Sequence, residues 1–476
     1  MLFNSFEFLV FIVAVYVVYW ILKGQKKYQN PFLLCVSYIF YGWWDWRYLF
    51  LLLLSTFIDY SFGILIYQSN EKKKLFLRLS IFNNLIVLLF FKYYNFFAGS
   101  AGEFLHFFGL TVNPVLIDVV LPVGISFYTF HGMSYVLDIY RGNFKPVRNF
   151  YDYGLFVSFF PLLVAGPIER ATHLLPQVTA ERKFNYGQSV DGLRLILWGL
   201  FKKIVIADNC AVFVNPIFDN YNRSSPFELI AATVVFAFQL YGDFSGYSDI
   251  ARGTAKLFGI ELLVNFKTPF FSGSITEFWR RWHISLSSWF NDYVYTPLAI
   301  RFRDYGKTAI ALSAFFTFLI TGFWHGAGWK YIFFGALHGI AIVYEILTRK
   351  WRKKIFKQVP DGVVSVVSAI LTFSYVCFTL IFFRSNTLSD AFRFIGDIFS
   401  HFYIATNFKL LHPYLYIFIL VLLFMLTDWK TRDIDFIGLC KSFKKRYMRL
   451  ALYFVLVGLI GLYGAYTHTA FIYFQF

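Results

Sequence analysis

Two histidines stand out by the company they keep. His325 lies in Phe323-Trp324-His325-Gly326, and from Ala309 to Leu347 the only formally charged residues are Lys330 and Glu345. Histidine is costly in hydrocarbon unless it faces protein or a water-filled cavity, so an intramembrane titratable group is a functional candidate by default. Burial favours the neutral imidazole, which is the form that accepts a proton. A positioned base contributes on the order of 10²–10⁴ in rate. Such a base suits transfer of an acyl group from an activated thioester to a hydroxyl. The thiolate leaves readily, so the hard parts are removing the hydroxyl proton and stabilising the oxyanion. The second histidine, His283, sits about forty residues upstream in Trp279-Arg280-Arg281-Trp282-His283.

Each histidine also has a plain reading. The stretch Trp324–Lys330 is either an ordinary loop at a membrane face or a break within the membrane that turns His325 towards a cavity. Gly326 and Gly328 favour the break, because glycines permit close helix approach. His283 either joins a site or only anchors its helix at the interface. His338, in Ala336-Leu337-His338-Gly339, reads as a structural hydrogen bond inside an apolar helix. His106, His131, His173, His401, His412 and His468 have no comparable company.

The elements that must position these residues are membrane helices. With 58% hydrophobic and 15% charged residues, the chain is too apolar for a soluble domain, where charged residues run at about 25%. Stretches near the roughly 20 residues needed to cross a bilayer recur from end to end. Clear ones are Phe6–Leu22, Trp46–Tyr67, Phe227–Leu240, Ala309–Phe323, Tyr331–Leu347, Val363–Phe383, Tyr414–Leu426 and Ala451–Tyr466. Weaker ones lie near 31–41, 75–97, 115–140, 150–165 and 193–213. The expectation is an all-α polytopic membrane protein, about eleven spanning or partly inserted helices in one domain over residues 1–476. The first segment, with Glu7 and no basic leader, reads as a retained helix and not a cleaved signal.

The net charge of +17 sits in short loops: Lys26-Lys27, Lys72–Lys74, Arg349–Lys357 and Lys441–Arg449. Short basic loops beside apolar helices mark cytoplasmic faces and suit anionic lipid headgroups. No basic recognition helix or aromatic platform points to nucleic acid. Lys26-Lys27 follows the first helix, which places the N-terminus outside, and Tyr41–Trp46 reads as an outer aromatic belt. The cysteines Cys35, Cys210, Cys377 and Cys440 are far apart, so neither a disulfide framework nor a metal cage is expected. Glu169–Gln188, the longest polar interval, reads as a loop or surface helix.

The central third departs from this pattern. Between Leu240 and Leu298 lie Asp243, Asp249, Arg252, Lys256, Glu261, Lys267, Glu277, Arg280, Arg281 and Asp292, too many charges for lipid-facing helices. Ser274-Ile275-Thr276-Glu277 is a capping-box pattern. A helix started there puts Phe278, Trp279, Trp282, His283, Leu286, Trp289 and Phe290 on one face and charges on the other. An aromatic face opposite a charged one describes an in-plane amphipathic helix. No Ser-His-Asp order, Walker loop, zincin pair or dinucleotide glycine motif accompanies it.

Taken together, Asp243-Phe244-Ser245-Gly246-Tyr247-Ser248-Asp249, the run Ile275–Leu286, and Gly322–Gly326 resemble the membrane-bound O-acyltransferase family. The likeness is to the bacterial branch holding the membrane subunit of alginate O-acetylation, with teichoic-acid D-alanylation and peptidoglycan O-acetylation proteins as relatives. Leu121–Phe127 and Ala165–Arg170 fit as well, so the likeness covers nearly the whole chain. It implies a central funnel through the bacterial cytoplasmic (inner) membrane, with His325 as the catalytic residue and His283 beside the same passage. Trp324, Trp282, Arg281 and Asp243 become the expected acyl-donor or channel-lining residues. It implies acetyl-CoA as a cytoplasmic donor substrate, with no bound cofactor and no metal. A periplasmic or surface transferase of the Ser-Gly-Asn-His hydrolase type would pass the group to a cell-envelope polysaccharide. A transporter or flippase without acyl transfer is the rival from another class; the absence of internal repeats and of paired acids within spans speaks against it.

Overall fold

The computed structural model describes residues 1–22, 25–118, 120–401, 412–465 and 471–472; His468 and residue 466, the end of the last expected span, lie outside them. The described residues form helices and loops, with no strand among them. Among the described residues, eight helices are long and apolar enough to cross a membrane: Arg47–Gln68, Lys73–Phe107, Pro226–Leu257, Arg303–His325, Trp329–Phe356, Asp361–Arg384, His412–Thr431 and Arg446–Tyr463. The first expected span is the 16-residue helix Phe6–Ile21, started by Ser5, whose hydroxyl accepts from the amide of Phe8. Of the weaker segments, 115–140 contains the helix Ile125–Tyr140, nearly every residue of it buried. The 150–165 stretch breaks into Phe150–Ser158 and Phe160–Ala165.

The chain divides into two compact units, Met1–Leu193 with Ala251–Leu263, and Arg194–Ile250 with Val264–Phe476. In the first, polar side chains inside helices are tied to one another. Asp59 accepts from Ser80 and Asn84, each at 2.8 Å. The polar interval Glu169–Gln188 contains the short helix Ala171–Thr179, as its composition predicts, yet Glu169 and Arg182 are buried while Glu181 and Lys183 are exposed. Arg182 is buried against the hydroxyl of Tyr19 and the amide of Asn30. Glu169, 0% exposed, accepts from the backbone amide of Leu263 at 2.7 Å and pairs with His173 at 2.8 Å. The Glu169 amide donates to His131. His131 and His173 therefore do have company, created by a fold that brings Glu169 to both.

The second unit is organised by a hairpin of two helices, Gly306–His325 and Trp329–Phe356, joined by Gly326-Ala327-Gly328. The helices touch backbone to backbone. A β-carbon on Gly322 would lie 2.3 Å from the carbonyl oxygen of Tyr331, and one on Gly335 would lie 2.4 Å from that of Phe318. Gly328, by contrast, has ordinary room: an added carbon would meet Tyr331 at 3.7 Å. The close approach expected of the glycine cluster thus belongs to Gly322 and Gly326, not Gly328. Forcing atoms into packed contacts typically costs about 1–3 kcal/mol. Gly322→Ala and Gly335→Ala should each lower the melting temperature of the detergent-solubilised protein by several degrees, while Gly328→Ala leaves it unchanged. Equal melting temperatures for all three would contradict the backbone contact.

Candidate functional site

His325 is the last residue of its helix, capped by Gly326 in an extended conformation. It is 3% exposed, so it faces protein. Its ring meets Phe334 at 5.9 Å and Phe383 at 5.6 Å, both edge to face. These walls belong to a tight apolar cavity of about 10 Å³ that is also lined by Trp279, Trp282 and His338. That is room for one water at most, so an acetyl group enters only if a wall moves.

His338 shares this cavity, and its hydrogen bonds fix its role. The indole N–H of Trp279 lies 3.2 Å from its Nδ1, and an indole nitrogen only donates. Nδ1 is therefore the bare nitrogen and Nε2 carries the proton, donated to the Thr379 hydroxyl at 3.1 Å. Thr379 passes its own proton to the carbonyl of Val376. The chain of donors is complete, and His338 is the structural hydrogen bond its surroundings suggested.

His283 does not sit within a continuous amphipathic helix. Ile275–Arg281 and Ile284–Phe290 are separate helices, and His283 between them is left-handed at φ 44°, ψ 52°. The cause is the segment alongside. Lys267 donates its amide to the carbonyl of Arg281, and Ile284 donates its amide to the carbonyl of Asn265, both at 2.9 Å. The Asn265 side chain then accepts from the Ser285 hydroxyl at 2.5 Å. Stitched on both sides, the chain cannot continue its helical turn through His283. A left-handed non-glycine residue costs of order 1–3 kcal/mol. The predicted cap is present: Ser274 accepts from the Glu277 amide at 3.0 Å, while the Glu277 carboxylate reaches back one residue further, to Gly273.

The ring of His283, 0% exposed, meets Phe244 edge to face at 4.6 Å and Trp324 at 6.0 Å. Burial pushes its pKa down to about 3. Trp324 in turn lies 5.1 Å from His325, so it stands between the two imidazoles. Trp282 stacks on Phe278 and lines the His325 cavity. Arg281 turns elsewhere, into an ion pair with Glu277 at 2.8 Å. Asp243 is buried, pairs with Lys203 at 2.7 Å and accepts from the amide of Ile472.

Asp243 also lines a second, polar cavity of about 360 Å³, with Lys203, Asp208, Gln239, Lys330, Tyr331 and Arg384 among its walls. Tyr331 packs beneath Gly326 and against Phe383, a wall of the His325 cavity. Lys203, Lys330, Arg384, Asn265 and Trp279 were not foreseen from sequence. Lys202-Lys203 inside an apolar stretch was the available signal; it lies in a π-helical segment, Phe201–Ala207, a distortion frequent at functional sites. Among the described residues, no three His, Cys, Asp or Glu side chains gather as metal ligands would.

The sequence agrees with this arrangement. The family model of the membrane-bound O-acyltransferase family matches residues 38–384. The chain is 37% identical over 403 residues to a protein of Pseudomonas syringae pv. tomato named "Probable alginate O-acetylase AlgI", covering 84% of this chain and 75% of the relative. It is 34% identical over 429 residues to the peptidoglycan O-acetyltransferase of Helicobacter pylori, covering 83% and 79%. It is 30% identical over 283 residues to the teichoic acid D-alanyltransferase of Bacillus subtilis, covering 56% and 70%. A multi-pass helical chain with a buried Trp-His at the close of a helical hairpin, matched by this family over most of its length, belongs to the membrane-bound O-acyltransferases.

Proposed function

We propose that the chain moves acetyl groups from cytoplasmic acetyl-CoA across the membrane for O-acetylation of an alginate-like extracellular polysaccharide, with His325 as general base. The observation that carries the reading is a buried histidine walling a cavity at the end of the glycine-packed hairpin, in a family of acyltransferases. In the step itself, the acceptor oxygen attacks the thioester carbonyl as its proton passes to the unprotonated ring nitrogen of a neutral His325. The new C–O bond forms, the C–S bond breaks, and the imidazolium returns the proton to the departing thiolate. His325 ends neutral, and acetyl ester and free thiol are the products.

A partner of the Ser-Gly-Asn-His hydrolase type on the periplasmic or surface side would carry the acetyl group to the polysaccharide. The setting is the bacterial inner membrane with the N-terminus outside. Lys26-Lys27 after the first helix and the exposed Trp43, Trp44 and Trp46 at the opposite end of the next helix support that orientation. Arg349–Lys357 and Lys441–Arg449 would meet anionic headgroups. The Helicobacter relative favours a second reading, in which peptidoglycan is the glycan acetylated.

His325→Ala should reduce acetyl transfer by on the order of 10²–10⁴, with protein level and membrane insertion intact. Purified protein in liposomes with labelled acetyl-CoA supplies the measurement: label on an acceptor reports transfer, and solute flux without labelling would point to a transporter instead. Full activity in the variant would end the assignment.

His283 yields a prediction of opposite kind. Its folded pKa of about 3 lies below the unfolded value of about 6.5. The unfolded chain therefore binds a proton that the folded chain refuses, and stability is lost as pH falls from about 6.5 towards 3. His283→Asn keeps a residue that tolerates the left-handed conformation and removes the titration. Its melting temperature should fall less between pH 7 and pH 4 than that of the wild type. Parallel curves would mean that His283 is protonated in the folded protein.

A further inference from the structure

We propose that Glu345 is a positioning residue for the site, holding the segment that carries Trp279, Trp282 and His283 against the helix that begins just past His325. Glu345 is one of two charged residues in an otherwise apolar run of 39 positions, Ala309–Leu347. It lies in the helix Trp329–Phe356 and takes no part in the chemistry set out above. Its carboxylate accepts three hydrogen bonds, from the amide of Ile275 at 2.6 Å, the amide of Thr276 at 3.0 Å and the hydroxyl of Thr276 at 2.5 Å.

Those amides open the helix Ile275–Arg281, and first-turn amides have no partner within their own helix. A carboxylate there makes charge-assisted bonds, the strong kind. Seven residues earlier on the same helix, and so on the same face, His338 holds the indole of Trp279. One helix thus grips the short segment at its first turn and again at its second. Beyond the grip the chain passes to Trp282, a wall of the His325 cavity, and to the left-handed His283. His338 and Phe334, on the gripping helix, line that cavity too. The spacing between the cavity's opposing walls is therefore set by Glu345 at one end and His338 in the middle. A cavity this tight leaves little tolerance for a shifted wall.

The effect on turnover rests on the reading of this cavity as the acyl-transfer site; the grip itself does not. The test uses the full-length protein in detergent and liposomes, comparing Glu345→Gln and Glu345→Ala with wild type. Misplacing reacting groups by about 1 Å costs up to roughly 10²-fold. The expected result is a kcat lower by about tenfold to a hundredfold in Glu345→Ala, a smaller loss in Glu345→Gln, and a KM for acetyl-CoA within about threefold of wild type. Hydrogen exchange at the amides of Ile275 and Thr276 should quicken in the same order. Thr276→Val removes only the hydroxyl bond and should show a smaller change in the same direction, which guards against a variant that fails to fold. Unchanged exchange in Glu345→Ala would overturn the grip, and faster exchange with kcat within twofold would overturn the positioning role. Absence of labelled product from the wild type itself would strike the acetyl-transfer reading and leave the exchange result to decide the grip.

Discussion

The contact on which the second unit depends is backbone against backbone, where Gly322 meets the carbonyl of Tyr331 and Gly335 meets that of Phe318. Without β-carbons at these positions two helices close to van der Waals distance and can be joined by three residues. Small residues let membrane helices approach where no hydrophobic driving force pulls them together. The consequence is geometric. His325 ends one helix, Phe334 and His338 follow within the first turns of the next, and all three reach the same cavity. Glu345, two turns further, then reaches the start of the segment bearing the other wall. A single close approach thus orders a set of side chains spread over 70 residues, from Ile275 to Glu345.

Around this frame, charges and imidazoles are treated differently. The lysines of the second unit are paired where they are buried: Lys203 with Asp208 and Asp243, Lys202 with Asp249. Isolated charges at such depth would cost several kcal/mol per ion. His283 and His338 avoid that cost by staying neutral, as the burial of the one and the hydrogen-bond chain through the other require. The result is an apolar cavity and a polar one in the same unit, divided by Tyr331 and Phe383. A proton acceptor belongs on the dry side, where burial keeps it uncharged; a hydroxyl-rich ligand is better matched by the other.

Much of this was legible in the sequence, and the rest was not for identifiable reasons. Length and apolarity located the long helices, since a run of 20 apolar residues has few other fates. The pairing of Trp324-His325 with flanking glycines marked the hairpin turn. Helical periodicity failed at His283 because the competing bonds come from Asn265 and Lys267, and a wheel contains no information about a neighbouring strand of chain. Composition failed in turn at Glu169, where a polar interval reads as surface but His173 and Leu263 meet its carboxylate and His131 accepts from its backbone amide. Glu345 was visible as an isolated charge, yet its partners are two backbone amides and a threonine hydroxyl some 70 residues away, which the pattern of its own helix does not reveal.

Two histidines line the same cavity, and their places in the two helices differ. His338 already receives a proton donor at Nδ1 and gives its own proton from Nε2, with Trp279 and Thr379 as fixed partners. To accept a proton from an alcohol it would have to release the indole and loosen the wall that Trp279 forms. Its value to the site lies in not reacting. His325 is placed otherwise, at a helix end beside extended glycine backbone, where the neighbouring walls are the rings of Phe334 and Phe383. Rings held by packing can swing aside without breaking a hydrogen-bonded chain, and the cavity must widen before any thioester approaches. The same geometry that bars a ligand from the closed cavity therefore supports His325, over His338, as the base that an entering ligand would meet.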